Sequence, residues 1–198
     1  MSVLQFSGAF QQPGQGVVAT LDSSIPLNLS GQVITGSPGV MPQPSIFTVG
    51  GWVRLATNGI QTSIFQAAGQ FEVGLSNQGY LSAQFVGGSS VTSDIAIEDT
   101  QWHFVTCTFL QDPGNPSTGV LSLYLDGSET ATGLVDGSPA TATTDWSLGV
   151  GDRGLEVVSW CLWSTPLSGE EVDAPFWGEP TGGISQDGLL AAYDFAGG

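Results

Sequence analysis

Apolar and polar residues alternate with a period of two through nearly every segment of this chain, and no other feature narrows its possible folds so far. Successive side chains of an extended strand point to opposite faces, so this period describes strands and leaves little room for helices. In FEVGLSNQGYLSAQFV, Phe71, Val73 and Leu75 share one face, Asn77-Gln78-Gly79 turns the chain, and Leu81, Ala83 and Phe85 resume the pattern, which predicts a hairpin. GVLSLYLDGSE places Leu121, Leu123 and Leu125 on one face and Ser122 and Tyr124 on the other, giving one dry and one wet face before a turn at Asp126-Gly127. FTVGGWVRL, TQWHFVTCTFL and LEVVSWCLW are apolar or aromatic on both faces and belong at the centres of covered sheets. Turn signals such as Pro13-Gly14, Asn58-Gly59, Gly87-Gly88 and Asp136-Gly137 separate the strands at fairly even spacing. The expectation is an all-β, two-sheet antiparallel jelly-roll sandwich. One short helix is predicted in PLSGEEVDAP, where Ser168 and Glu171 form a capping box and Pro175 ends the helix within two turns.

A chain of 198 residues, 40% of them hydrophobic, can bury one sizeable core, and no linker divides it, so residues 1–198 read as a single domain. Eighteen acidic residues face only Arg54 and Arg153, giving a formal net charge of −16. Such a surface repels phosphate backbones and anionic lipid heads, which argues against nucleic acid and against membranes held by charge, and leaves neutral ligands. No apolar run is long enough to span a bilayer, so membrane insertion is not expected. MSVLQFSGAF lacks the regions of a signal peptide, which suggests a cytoplasmic or non-classically released protein, or an excised extracellular module. Cys107 and Cys161 sit in apolar runs far apart in sequence and read as buried free thiols.

Most catalytic chemistries lack their parts. His103 is the sole histidine and lies within a strand pattern, sharing a face with Val105, Cys107 and Phe109, so a structural role fits it better than that of a general base. One histidine and two distant cysteines do not make a four-ligand zinc site, and without lysine no phosphate-binding loop can be completed. Glycoside hydrolysis needs two carboxylates flanking the scissile bond. Glu170, Glu171 and Asp173 belong to the helix, and Asp94, Glu98 and Asp99 to a strand boundary, so neither trio reads as that pair.

Five phrases in order resemble the laminin G-like, or concanavalin A-like, lectin and glucanase superfamily. They are LQFSG with the strand VVATLDSSIPLNLSG after it, FTVGGWVRL, DTQWHFVTCTF, GVLSLYLDG and VVSWCLWSTPLSGEEV. The tail GLLAAYDFAGG is similar to a strand that usually precedes the first of these; displaced to the other terminus, it can keep its sheet position if the termini are neighbours. The resemblance implies a jelly roll whose members mostly bind glycans or proteins, often with calcium. In that family the aspartates of F-D-G and I-D-E help supply calcium oxygens, and here Ser7 and Val158 stand in their places. No cofactor is therefore expected; Asp22, Asp152, Asp187 and Asp194 are left as carboxylates for a different calcium site.

What remains is a non-catalytic, lectin-like protein or module whose partner is a glycan or glycoprotein. Tryptophan stacks on the C–H patches of sugars while polar side chains pair with hydroxyls. Trp177, in the loop APFWGEPTGG, is the exposed candidate, with Asn58, Asp112, Asn115, Asp152 and Arg153 from polar loops, while Trp52, Trp102, Trp160 and Trp163 are assigned to the core. Two alternatives stand beside this reading: a structural or adhesive protein-interaction module that self-assembles as a homo-oligomer, and an atypical glycosidase.

Overall fold

A computed structural model describes residues 2–6, 17–20, 27–28, 32–36, 45–55, 61–67, 70–137, 146–150, 154–172 and 188–194. In chain order the elements are β1 (Ser2–Phe6), β2 (Val17–Thr20), β3 (Leu27–Asn28), β4 (Gln32–Gly36), β5 (Ile46–Leu55), β6 (Thr62–Ala67), β7 (Phe71–Leu75) and β8 (Tyr80–Phe85). They continue with β9 (Ser90–Ala96), β10 (His103–Asp112), β11 (Asn115–Leu125), β12 (Ser128–Asp136), β13 (Trp146–Val150), β14 (Leu155–Trp163), α1 (Gly169–Val172) and β15 (Leu189–Asp194).

Two sheets stack face to face. One runs β1-β4-β13-β6-β7-β8-β9 and the other β12-β11-β10-β5-β14-β15-β2, with β3 beside β14. Pairing is antiparallel except at two places, β1 with β4 and β15 with β2, where the ladders are parallel. The strands that read as apolar on both faces, β5, β10 and β14, occupy the middle of the eight-stranded sheet. The tail strand does enter the sandwich, as β15, between β14 and β2; it does not adjoin β1, which lies in the other sheet.

Aromatic rings fill the space between the sheets. Phe85 meets Phe109 edge to face at 4.8 Å between centroids and Phe47 meets Phe71 at 5.0 Å, the geometry that ring quadrupoles favour. Phe65 lies between Trp146 at 6.2 Å and Trp160 at 5.7 Å, all three fully buried. Cys107 and Cys161 are buried free thiols, as expected, and burial pushes the Cys107 thiol far above its usual range.

A bulge in β14, between Val157 and Ser159, explains how that strand serves both faces. Strict alternation would put Glu156 and Trp160 on one side; the extra residue sends Trp160 between the sheets and leaves Glu156 and Trp163 on the outer face, where Trp163 is buried in a second apolar cluster. Gly51 opposes this segment, and a β-carbon there would overlap the Ser159 carbonyl oxygen and the Trp160 ring. The outer face of the seven-stranded sheet is polar: Ser147, Gln66, Glu72, Gln84 and Ser90 follow one another in register across five strands.

Candidate ligand-binding face

The outer face of the eight-stranded sheet is less uniform. Its cross-strand neighbours form successive rows: Glu156 and Arg54, with the Trp102 ring against the arginine; then Ser159, Trp52 and Phe104; then Cys161, Gly50, Thr106 and Tyr124. Trp163, Thr48, Thr108, Ser122 and Thr132 follow, and Ile46, Leu110, Val120 and Leu134 come last.

Residues 164–172 fold across the middle of this face. Thr48, fully buried, donates its hydroxyl to the Thr165 carbonyl at 2.8 Å and accepts from the Leu167 amide at 2.9 Å, so both capacities of one side chain fix the crossing. Ser168 and Glu171 form the expected capping box: Ser168 donates from its amide and its hydroxyl to the Glu171 carboxylate, 2.8 Å each, and Glu171 N–H donates back to Ser168 Oγ at 3.3 Å. Leu167 and Val172 thereby pack on Phe104, Tyr124, Cys161, Trp163 and Ala192, with Trp52 and Leu189 at the margin. The wet face predicted for β11 is corrected here, because Ser122 and Tyr124 are buried beside the crossing segment.

On one side of the crossing lies the row that contains Arg54. Its guanidinium stands 4.8 Å from the centroid of the Trp102 ring, within cation–π range, and its Nε donates to Glu156 Oε2 at 2.7 Å while Nη2 bonds the same oxygen. One partner from β14 and one from the turn that leads into β10 therefore hold the arginine side chain in one orientation. Trp102 lies one residue before β10 and is half-buried, as is Trp52, which packs on Phe104 at 5.6 Å. The assignment of four tryptophans to the core thus holds for Trp160 and Trp163 and is corrected for Trp52 and Trp102, which leave part of their surface to solvent. Trp52 Nε1 is buried with no hydrogen-bond partner. Nothing in one strand's periodicity reveals this grouping, since it depends on the register between β5 and β10.

His103 anchors the turn that presents Trp102. Its Nδ1 lies 2.8 Å from Asp126 Oδ2 and its Nε2 2.9 Å from Asp99 Oδ1. Asp126 adopts a left-handed backbone, φ 50°, in the β11–β12 turn and accepts the Phe104 amide on Oδ1 at 2.8 Å. Asp99 also accepts the Gln101 amide at 2.8 Å. Burial opposes the imidazolium, yet the bonds to Asp99 and Asp126 and their charges outweigh it, and the His103 pKa rises above its usual value. The Gln101 amide, followed by the His103 bond, holds the Asp99 carboxyl below its usual value, the reverse of what a general acid needs. The histidine is structural, as its place in the strand suggested.

Of the residues expected at a glycan site, Asp112 and Asn115 are exposed in the β10–β11 turn and spend an oxygen each on local amides, Gly114 at 2.8 Å and Ser117 at 3.1 Å. They stand at the far end of β10 from Trp102, about 30 Å away along an extended strand, and do not join it. Asn58, Asp152, Arg153 and Trp177 lie outside the described residues, as do Ser7, Asp22 and Asp187, and Val158 is described as backbone alone. The segment bearing Trp177 departs from Val172, in the cluster with Phe104 and Tyr124, and returns at Gly188, whose carbonyl accepts the Ser164 amide at 2.7 Å. Among the described residues no group of three or more His, Cys, Asp or Glu side chains could hold a metal ion. A hollow of about 180 Å³ beside Leu55, Asn77, Gln78 and Glu98 is smaller than the roughly 300 Å³ at which ligand pockets begin.

The family model described as the concanavalin A-like lectin/glucanases superfamily, in its laminin G-like form, matches residues 28–172. Among solved structures, the chain is similar to a Bacteroides ovatus protein provisionally described as carbohydrate-binding, with 17% identity and a TM-score of 0.58 over 79% of this chain and 47% of that one. It thus spans about half the length of that protein. It is also similar to domain 4 of AbnA, an extracellular arabinanase of Geobacillus stearothermophilus in complex with arabinotriose, with 18% identity and a TM-score of 0.56 over 80% of this chain and 81% of that one. No curated protein matches the sequence.

Proposed function

The chain belongs to the concanavalin A-like lectin/glucanase superfamily, and from that premise we propose that it is a non-catalytic carbohydrate-binding protein or module acting on a neutral glycan. The observation that carries the reading is the arginine held between Trp102 and Glu156, next to the half-exposed Trp52. A sugar needs an aromatic surface for its C–H face and fixed donors for its hydroxyls, and ordering them beforehand spares the ligand that entropy. Arg54 has its charge met by Glu156, so it serves as a donor of hydrogen bonds more than as a counter-ion for an acidic sugar. Trp177, Asp152, Arg153 and Asn58 complete the reading as loop contributors, and the site works without a metal, since Ser7 and Val158 replace the carboxylates that a family-type calcium site uses.

The fold shared with the two similar structures supports the class of ligand, and one of them is in complex with arabinotriose, which makes neutral oligosaccharides of that kind the first to try. The test is a glycan array followed by titration calorimetry on the purified chain, with and without EDTA. Binding of a neutral oligosaccharide that persists in EDTA, and that Trp102→Ala and Arg54→Ala each weaken about tenfold, near 1.4 kcal/mol, is the expected result. Absence of binding across the array, or binding untouched by both substitutions, overturns it.

A further inference from the structure

β12 forms one edge of the eight-stranded sheet, and among the described residues no strand pairs with its outward side. The Gly137 amide donates to the Ser117 carbonyl at 2.9 Å across the Thr118–Asp136 pair, which makes that pair a non-hydrogen-bonded one. The backbone groups of Asp136 therefore point away from β11, and its N–H donates outward to Ser89 Oγ at 3.0 Å. Counting back by twos, Leu134 and Thr132 present their N–H and C=O on the same outward side, and among the described residues nothing bonds them there. Natural sheets blunt such edges with lysine, proline or a bulge. The stretch from Ala131 to Asp136 has none of these.

The side chains next to this edge are apolar. Leu134 is 76% exposed, Val120 38% and Leu110 44%, and the register sets them side by side on the outer face, with Ile46 following. Exposed Asp136 and Asp112 stand two residues from Leu134 and Leu110, and exposed Glu129 lies at the other end of the β12 edge. Arg54, the one arginine among the described residues, lies eight residues along β5 from Ile46, about 26 Å, and is engaged by Glu156, while His103 is engaged by Asp99 and Asp126.

We propose that the β12 edge receives an extended polypeptide segment as an added antiparallel strand, one with aliphatic side chains at alternate positions and lysine or arginine at its ends. The outward groups of Thr132 and Leu134 supply the ladder, the row of Leu110, Val120 and Leu134 receives the aliphatic side chains, and the acidic flanks select the basic ends. Charge decides the occupant. A second copy would bring the same Glu129, Asp112 and Asp136 and a further net charge of −16, and among the described residues no arginine is free to meet them.

The probe is a synthetic nonapeptide of alternating valine and threonine with a lysine at each end, titrated into the intact chain and followed by calorimetry and amide hydrogen exchange. One-to-one binding that weakens with ionic strength is expected, with exchange slowed about tenfold or more at Thr132 and Leu134. Leu134→Lys, at an exposed side chain, abolishes it without altering the fold, and Leu134→Pro removes only the outward N–H and does the same. If the proline variant does not fold, the lysine variant decides. A peptide with glutamate at both ends binds at least tenfold more weakly. Unchanged exchange at both amides, equal binding of the two peptides, or a free protein already dimeric by sedimentation with those amides protected would overturn the proposal, the last by giving the edge to a second copy.

Discussion

His103 shows how one residue links charge to geometry. It stands between Asp99 and Asp126, and its raised pKa means that the folded state holds the proton more tightly than the unfolded chain. Its stabilising contribution is complete below the ordinary value of 6.5 and is lost as pH rises through the folded value. Melting temperature followed across that window should fall with rising pH more steeply for the native chain than for His103→Gln. As the only histidine, it gives a single imidazole resonance by NMR, expected to titrate above 6.5; titration below 6.5 would refute the assignment. That His103 is structural was legible from its setting in a strand. That its neighbour Trp102 lies under Arg54 was not, because positions 54 and 102 become neighbours only through the β5–β10 ladder.

Strand by strand, the period of two located the elements well, and the capping box located α1. It failed where one element covers another: nothing in GVLSLYLDG says that residues 164–172 will cross over Ser122 and Tyr124. The crossing depends on two hydroxyls, and each can be tested. Ser168→Ala removes the cap at a cost of about 1 kcal/mol, a drop of a few degrees in melting temperature, while the fold persists. Thr48→Val leaves the Leu167 amide without its acceptor in a buried place and should cost about 1–3 kcal/mol, with Tyr124 fluorescence or exchange near Tyr124 reporting the loosened cover. Deleting Leu189 to Gly198 removes a strand held on both sides, with Ala191 and Ala192 buried, and should abolish cooperative unfolding; a truncated chain with an unchanged melting temperature would show that β15 contributes nothing.

At the scale of the molecule, a formal charge of −16 on 198 residues sets how the domain meets its surroundings. Self-repulsion destabilises the compact state, so added monovalent salt should raise the melting temperature until screening is complete, near the roughly 8–10 Å Debye length of moderate ionic strength. Magnesium and calcium at equal ionic strength should act alike, and a saturable calcium effect at micromolar concentration would instead reveal a defined site. The charge is legible in the sequence, and the tail's resemblance allowed for neighbouring ends, but neither showed that β2 rather than β1 would meet the tail. Among the described residues Val17–Thr20 has one ladder partner, β15, and Val17 pairs with Ala191, so the two are brought together across almost the whole chain. Closing so long a loop is slow, and its entropy is recovered only when the central strands are already in place. The β2–β15 clasp should therefore form after the rate-limiting step. Substitutions such as Ala191→Gly would then hasten unfolding while leaving the refolding rate nearly unchanged, and the domain would spend its folding time as a sandwich with one side still unlatched.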